Sequence, residues 1–340
     1  MIRILLLDIA LYIMENGDPQ VIANIATAYS SLGVVDHANY FSALSDKKVC
    51  QFITKNGDPQ NIANIATAYS SLGVVDHANY FSALSDKKVC QKIMKGGDPQ
   101  AIANITSAYA NLGIDDNCNF FLALSDNMSV VNEGDSQNNC NCLWSFAFLG
   151  LLDNKVYESI IKSLWKKAMS MPVSDFTVEG LNQLRQIYTC SIIEGGNKLD
   201  EIPSALRSKI NAVENDKIGS KAHNDISRLL NDIGFEHQNE VSPFVDDIES
   251  GFSGGDEFMA IDMANLKDRI AIELDGPSHF IGLGKDGRVE TVKTKMKSRI
   301  LERLGWKVIK IPWFEWKEFN GEEKHDKVEY LKGVLLKVEE

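Results

Sequence analysis

The sequence predicts an α-solenoid of helical-hairpin repeats followed by a small α/β domain. Three observations carry that expectation. Gly17-Asp18-Pro19-Gln20 recurs as Gly57-Asp58-Pro59-Gln60 and Gly97-Asp98-Pro99-Gln100, a period of 40 residues. Within each period apolar residues recur at helical spacing and stop at a glycine. Beyond about residue 235 the pattern changes to short alternating strands around a basic helix.

The residues before Asn16 read as half a unit. In the first full unit Asp18 is an N-cap with Pro19 at the first helical position, Ile22, Ile25, Ala26, Tyr29 and Leu32 form the apolar stripe, and Gly33 ends the helix. Asp36 is expected to cap a second helix that buries Tyr40, Phe41 and Leu44, with Ser45-Asp46 breaking it before a last turn carrying Val49 and Ile53. His37 and His77 read as surface residues beside the caps. Gly17–Gln51 and Gly57–Gln91 differ only at Val21 against Asn61, so any difference in recognition between these two units is expected to reside in that pair. A fourth copy begins at Gly134-Asp135-Ser136-Gln137, 37 residues after the third, with Asn127–Glu133 as a shortened turn between units. Neither helix of a unit hides its stripe alone, so the units must stack. Trp144, Phe146, Phe148, Tyr157 and Trp165 read as core.

Thr177–Ser191 is a bridging helix, and Gly195-Gly196-Asn197 a turn. Ser220 then caps a helix with the stripe Ala222, Ile226, Leu229, Leu230 and Ile233, and Phe235–Val241 reads as a first strand. The expected domains are helical repeats over 1–171, a helical linker over 172–217 and an α/β domain over 218–340. In that last part Met259–Asn265 and Arg269–Asp275 form a hairpin through Lys267-Asp268. Alternation sets Ile270, Ile272 and Leu274 on one face and Ala271, Glu273 and Asp275 on the other, with Asp262 near enough in the partner strand to join the acids. Gly276-Pro277 breaks the strand before Ser278 and His279, and a polar loop with Gly282, Gly284 and Gly287 follows. Thr291–Leu304 is helical, with Ile300, Leu301 and Leu304 inward and Lys293, Lys295, Lys297, Arg299 and Arg303 as its basic load. Trp306–Ile311 is a strand, and Val328, Leu331, Leu335 and Val338 mark a closing helix.

The run Ile272-Glu273-Leu274-Asp275-Gly276-Pro277-Ser278-His279-Phe280, then Thr294, Lys297, Arg299 and Leu301 before Gly305-Trp306, then Val308, Ile309, Ile311, Pro312, Glu315 and Trp316, resembles the RAP domain. That is an RNA-binding module shared with FAST-kinase-like mitochondrial proteins. The repeats resemble those of FAST-kinase-like and octotricopeptide-type organelle proteins. The resemblance implies binding of mitochondrial mRNA or rRNA in the matrix, with Lys293, Lys295, Lys297, Arg299, Ser278 and His279 at the RNA, and ribosomal or RNA-processing proteins as partners. The RAP domain is itself similar to PD-(D/E)XK nucleases, which implies a restriction-endonuclease-like fold. On that pattern Asp262 and Glu273 would hold Mg²⁺, and Asp262, Glu273, Asp275 and His279 would be the catalytic set. Asp275 stands where that pattern has Lys.

Composition narrows the alternatives. A chain of 340 residues with 44% hydrophobic residues can build two cores. The net charge of −12 excludes indiscriminate nucleic-acid binding, which needs clustered Lys and Arg. From Lys285 to Lys310, nine basic residues against three acidic ones give a local +6. No segment reaches transmembrane length. The six cysteines show no paired spacing and read as buried thiols. Met1–Ala10 has neither a secretory nor a transit-peptide character, so the start reads as truncated. Three readings stay open: an RNA binder, a Mg²⁺-dependent ribonuclease, and a protein-binding repeat scaffold.

Overall fold

The computed structural model describes residues 17–33, 38–74, 78–114, 119–194, 199–213, 221–244, 259–281, 289–319 and 324–336. Several expectations lie outside these residues: the half unit before Asn16, Asp36, His37, His77, Gly195-Gly196-Asn197, Ser220, the loops around Asp246–Asp256 and Gly282–Gly287, and Val338. Within them, helical repeats are followed by a small α/β unit.

Each repeat opens with a long helix: α1 (Pro19–Ser31), then α4 (Pro59–Leu72), α7 (Pro99–Asn111) and α10 (Ser136–Phe148). The predicted cap holds in every one. Asp18 accepts from the Gln20 N–H, Asp58 from Asn61, Asp98 from Ala101 and Asp135 from Asn138, each satisfying an N–H that the first turn leaves free. The remainder of a unit differs from the expected hairpin, because it contains two helices: α2 (Ala38–Leu44) and α3 (Lys47–Asn56), repeated as α5 (Ala78–Leu84) and α6 (Lys87–Gly96). Asp46 is the reason. Its backbone is extended and its carboxylate accepts from the Lys48 and Val49 N–H groups, so it starts a new helix where a single turn was expected. The third unit continues as α8 (Asn119–Ser125) and α9 (Ser129–Glu133), so the segment expected to be a shortened turn between units is instead mostly a short helix, and the fourth continues as α11 (Glu158–Ser170).

Successive long helices pack side by side, with α12 (Val178–Ile193) next in the row. One set of contacts repeats along the stack. Phe41 meets Tyr69 edge-on at 5.4 Å, Phe81 meets Tyr109 at 4.8 Å and Phe121 meets Phe146 at 5.4 Å. Ser45 bonds the Tyr69 hydroxyl at 2.9 Å and Ser85 that of Tyr109 at 2.8 Å, while Asn79 and Asn119 donate to the Ser45 and Ser85 carbonyls. The buried tyrosines therefore bring their hydroxyls into the core with partners, as burial requires.

After α13 (Ser204–Asn211) and α14 (Lys221–Asp232), the sheet runs β1 (Gln238–Val241), β2 (Ile261–Asn265), β3 (Ile270–Asp275) and β6 (Lys307–Pro312) in that spatial order. The first strand starts at Gln238, later than the expected Phe235. The first two pairings are antiparallel and β3–β6 is parallel, which demands a crossover. That crossover is α15 (Val292–Arg303), capped by Thr291; β4 (Phe280–Ile281) and β5 (Val289–Glu290) make a separate small ribbon before it. One face of the sheet, with Met263, Ile272, Ile309 and Ile311, packs on α14, α16 (Trp313–Glu318) and α17 (Lys324–Leu336). Ala264 and Ala271 join the α15 residues Met296, Ile300 and Leu301 in the core that runs on through the repeats.

The basic helix α15 meets the C-terminal ends of the long repeat helices. Arg299 Nη1 and Nη2 donate to the carbonyls of Phe148 at 2.9 Å and Ala147 at 2.8 Å, and its Nε donates to Glu194 at 2.6 Å. Those carbonyls belong to the last turn of α10, where the helix dipole favours a cation; that of Ala147 also accepts from the Gly150 N–H at 3.1 Å. Gly150, at φ +72°, permits the approach: a Cβ there would stand 3.3 Å from Arg299 Cζ. Arg299 is thus a tie between the two parts of the chain, and Glu194 is buried beneath it. Arg299→Ala is expected to destabilise the protein by about 2–3 kcal/mol, because it strands the buried carboxylate of Glu194 and takes a donor from two carbonyls. Urea unfolding checks this, and a loss below about 0.5 kcal/mol would rule out the tie.

Candidate functional site

The central strand β3 distributes the predicted acids. Both Glu273 and Asp275 are buried, at 4% and 2% exposure, in an interior strand and not on a polar sheet edge. Glu273 is held by an ion pair with Lys297 of α15, which also donates to the Ala260 carbonyl at 2.8 Å. Burial pushes the Glu273 carboxyl up to about 7; Lys297 pulls it down, and the charges of Asp262 and Asp275 add to the rise. Lys297 therefore supplies the positive charge that the strand lacks at Asp275. Asp275 accepts from or shares a proton with His279, Oδ1 to Nδ1 at 2.7 Å, which orients the imidazole in the way a carboxylate orients a catalytic or ligating histidine. Its other oxygen is buried with no hydrogen-bond partner among the described residues.

Asp262 leaves the group formed by Glu273. Its Oδ2 accepts from the Leu274 N–H at 2.7 Å, so the side chain takes a backbone donor of the neighbouring strand. It lines a cleft of about 1170 Å³ together with Ser278, His279, Trp313 and Trp316, flanked by Arg228 and Lys327. Both cations pair with Asp225, at 2.6 and 2.8 Å. The Mg²⁺ pair that the nuclease resemblance implies does not fit this arrangement. Glu273 is committed to Lys297 and does not line the cleft, whereas Asp262 does.

The predicted basic set also separates. Lys297 and Arg299 face inward as described, whereas Lys293 and Lys295 are exposed. Lys293 borders a second cavity, a groove of about 690 Å³ along the long repeat helices. Sequence reasoning missed this groove. Asn104, Ser107, Asn111, Asn141, Asn182, Gln183 and Gln186 line it with Trp144, and its charged lining residues are Lys293 and Glu179. The signal was in the repeat: Asn24, Asn64, Asn104, Asn141 and Gln183 occupy the sixth position of successive long helices, and Thr27, Thr67, Ser107, Trp144 and Gln186 the ninth. Trp144 is half-buried and not simply core; its ring stacks on Phe148 at 3.9 Å and its indole N–H donates to Gln186 at 2.8 Å. Asn61, expected to read RNA, is not among the groove-lining residues. The cysteines behave as expected where described: Cys50, Cys90, Cys140, Cys142 and Cys190 are buried and outside any disulfide, and burial pushes Cys142 up to about 12.

Residues 272–334 match the RAP domain family. A RAP domain-containing protein of the chloroplast from Oryza sativa subsp. japonica is 25% identical over 206 residues, covering 57% of this chain and 29% of that protein. The chain thus aligns with less than a third of the length of that relative. Among the described residues no helix is long and apolar enough to cross a membrane.

The Glu273 environment gives a signed pH dependence. Its folded value, near 7, lies above the unfolded value near 4.5. Between these the folded state binds more protons, so this group removes stability as pH rises from about 4.5 to about 7 and none beyond. Glu273→Gln is expected to abolish that fall. The wild-type minus variant difference in unfolding free energy should drop by up to about 3 kcal/mol across the window. A difference that is flat from pH 4.5 to 7.5 would show that Glu273 is ionised throughout.

Proposed function

We propose that this chain binds single-stranded RNA, with the bases lying in the groove along the long repeat helices and α15 of the RAP domain forming one wall. The column of neutral amides and hydroxyls carries the reading. Asn and Gln present both a donor and an acceptor, which is what hydrogen bonding to exposed base edges needs, and single-stranded RNA is the nucleic acid whose edges are free. A protein-binding surface has no equal reason to place an amide or hydroxyl at the same helical position in five successive helices. Partly buried Trp144 adds a large ring to the same groove, where an unstacked base finds a surface.

The sparse charge of the groove changes the expected energetics. With Lys293 as the basic residue among those lining the groove, few phosphates are neutralised there, so affinity comes chiefly from base contacts and the salt dependence is shallow. This fits a chain of net charge −12. The RAP match supports RNA as the ligand, and the chloroplast relative supports an organelle as the compartment. Action on organellar mRNA or rRNA, in processing, stability or ribosome assembly, completes the reading by resemblance. A mitochondrial address has only the resemblance behind it.

Binding of short fluorescent single-stranded RNAs to the purified chain tests the proposal. Asn104→Ala and Asn182→Ala are each expected to weaken the best-bound RNA by about 1–3 kcal/mol while leaving the fold intact. Lys293→Ala with Lys295→Ala should reduce the logarithmic salt slope by no more than about two units. If both amide variants bind every RNA as the wild type does, the groove is not where RNA lies.

A further inference from the structure

The cleft beside β3 contains an arrangement that the RNA reading does not use. His223 from α14, Glu240 from β1 and Asp262 from β2 each offer one ligand atom, and these atoms all lie within 4.8 Å of one another. Register produces half of this. Asn239 pairs with Met263 and Val241 with Ile261, so Glu240 and Asp262 are cross-strand neighbours. Two like charges facing each other in an antiparallel pair repel. Among the described residues neither carboxylate pairs with a Lys or Arg, since Arg228 and Lys327 both serve Asp225. Carboxylates so placed call for a cation from solution.

His223 decides the kind of cation. It is more than nine-tenths buried, and its Nδ1 stands 3.9 Å from Glu240 Oε1. That is too long for a hydrogen bond but suits two ligands of one ion bound at about 2.0–2.2 Å each. Asp262 is already oriented, because the Leu274 N–H holds Oδ2 and leaves the other oxygen for an ion. One imidazole with two carboxylates suits first-row ions such as Mn²⁺ or Zn²⁺ better than Mg²⁺, which prefers oxygen and water. The main chain of Glu240 sits at φ +53°, an unfavourable conformation for a residue with a side chain.

We propose that His223, Glu240 and Asp262 form a site for a first-row divalent metal ion, with its remaining coordination positions open to the cleft between α14, β3 and α16. This is not the Asp262–Glu273 pair of the nuclease pattern, and it does not depend on RNA binding. An ion there has Ser278 and the oriented His279 across the same cleft, so its open positions would accept an oxygen of a phosphate or carboxylate ligand.

The test uses the purified full chain and the metal alone. Co²⁺ titrated into chelator-treated protein is expected to give a saturable visible absorption band at one ion per chain, and Zn²⁺ or Mn²⁺ should compete it away. Glu240→Gln and His223→Ala should each weaken binding at least about tenfold with an unchanged circular-dichroism spectrum. Asp232→Asn, on the same helix but outside the cleft, should leave affinity within about twofold. Glu240 is half-exposed, so its Gln variant remains informative if His223→Ala does not fold. Added metal should raise the melting temperature of the wild type and not of Glu240→Gln. Absence of one-to-one binding in folded wild type, or equal affinity in Glu240→Gln, overturns the proposal. Loss of RNA binding in the groove variants leaves it untouched.

Discussion

Arg299 holds the two halves of the molecule in register. Its guanidinium reaches two carbonyls at the end of α10 and the buried carboxylate of Glu194, three acceptors from two helices of the repeat stack. A planar group with five N–H donors satisfies all three at once, which a lysine at the same position would not. The same helix brings Lys295 near the end of α7, where a Cβ on Gly113 would lie 3.7 Å from its Nζ. Both contacts occur at the glycines, with φ near +65° to +72°, that terminate long repeat helices. The basic character of α15 thus has a structural cause: cations are placed against the negative ends of the repeat helices.

That docking explains the division of labour inside α15. Lys297 and Arg299 are the residues that a reading of charge alone assigns to RNA, yet one neutralises Glu273 and the other binds the repeats. Lys293, one turn earlier, escapes both roles and borders the amide-lined groove. A helix can tie the sheet to the solenoid on one side and still wall a groove on another, because successive side chains turn by about 100°.

Much of this was legible in the residues. The caps at Asp18, Asp58, Asp98 and Asp135, the fourth copy starting at Gly134, the hairpin through Lys267-Asp268 and the central helix between β3 and β6 follow from local chemistry, and local chemistry is what a sequence displays. The third helix of each unit was only half legible, since Ser45-Asp46 signals a break without saying whether a turn or a new helix follows. The site resisted for a different reason. Partner choice is not local: Glu273 and Lys297 are 24 residues apart, and Arg299 and Glu194 are 105 apart. Alternation placed Glu273 correctly on the side of Ala271, but no pattern states whether a basic helix turns its Lys inward or outward. The Asn and Gln column was visible at repeat spacing and went unread, because neutral polar residues on a helix are ordinarily solvated.

The nuclease resemblance gains a physical interpretation from β3. In a metal-dependent hydrolase the strand acids must reach a common ion that water and substrate also reach. Here successive residues of one strand go different ways: Glu273 inward to Lys297, the Leu274 N–H to Asp262, and Asp275 to His279. Glu273 is withdrawn from solvent by the same helix that fastens the domain to the repeats. Restoring it to a shared site would mean removing Lys297 from its carboxylate, which leaves a charge buried without its partner and costs several kcal/mol. What stays open to the cleft is Asp262, freed from Glu273 by its bond to Leu274 and turned toward His223 and Glu240. Glu273 therefore serves the packing of α15 on the sheet, and any chemistry of the cleft must be built from Asp262, His223 and Glu240 with His279, which Asp275 orients.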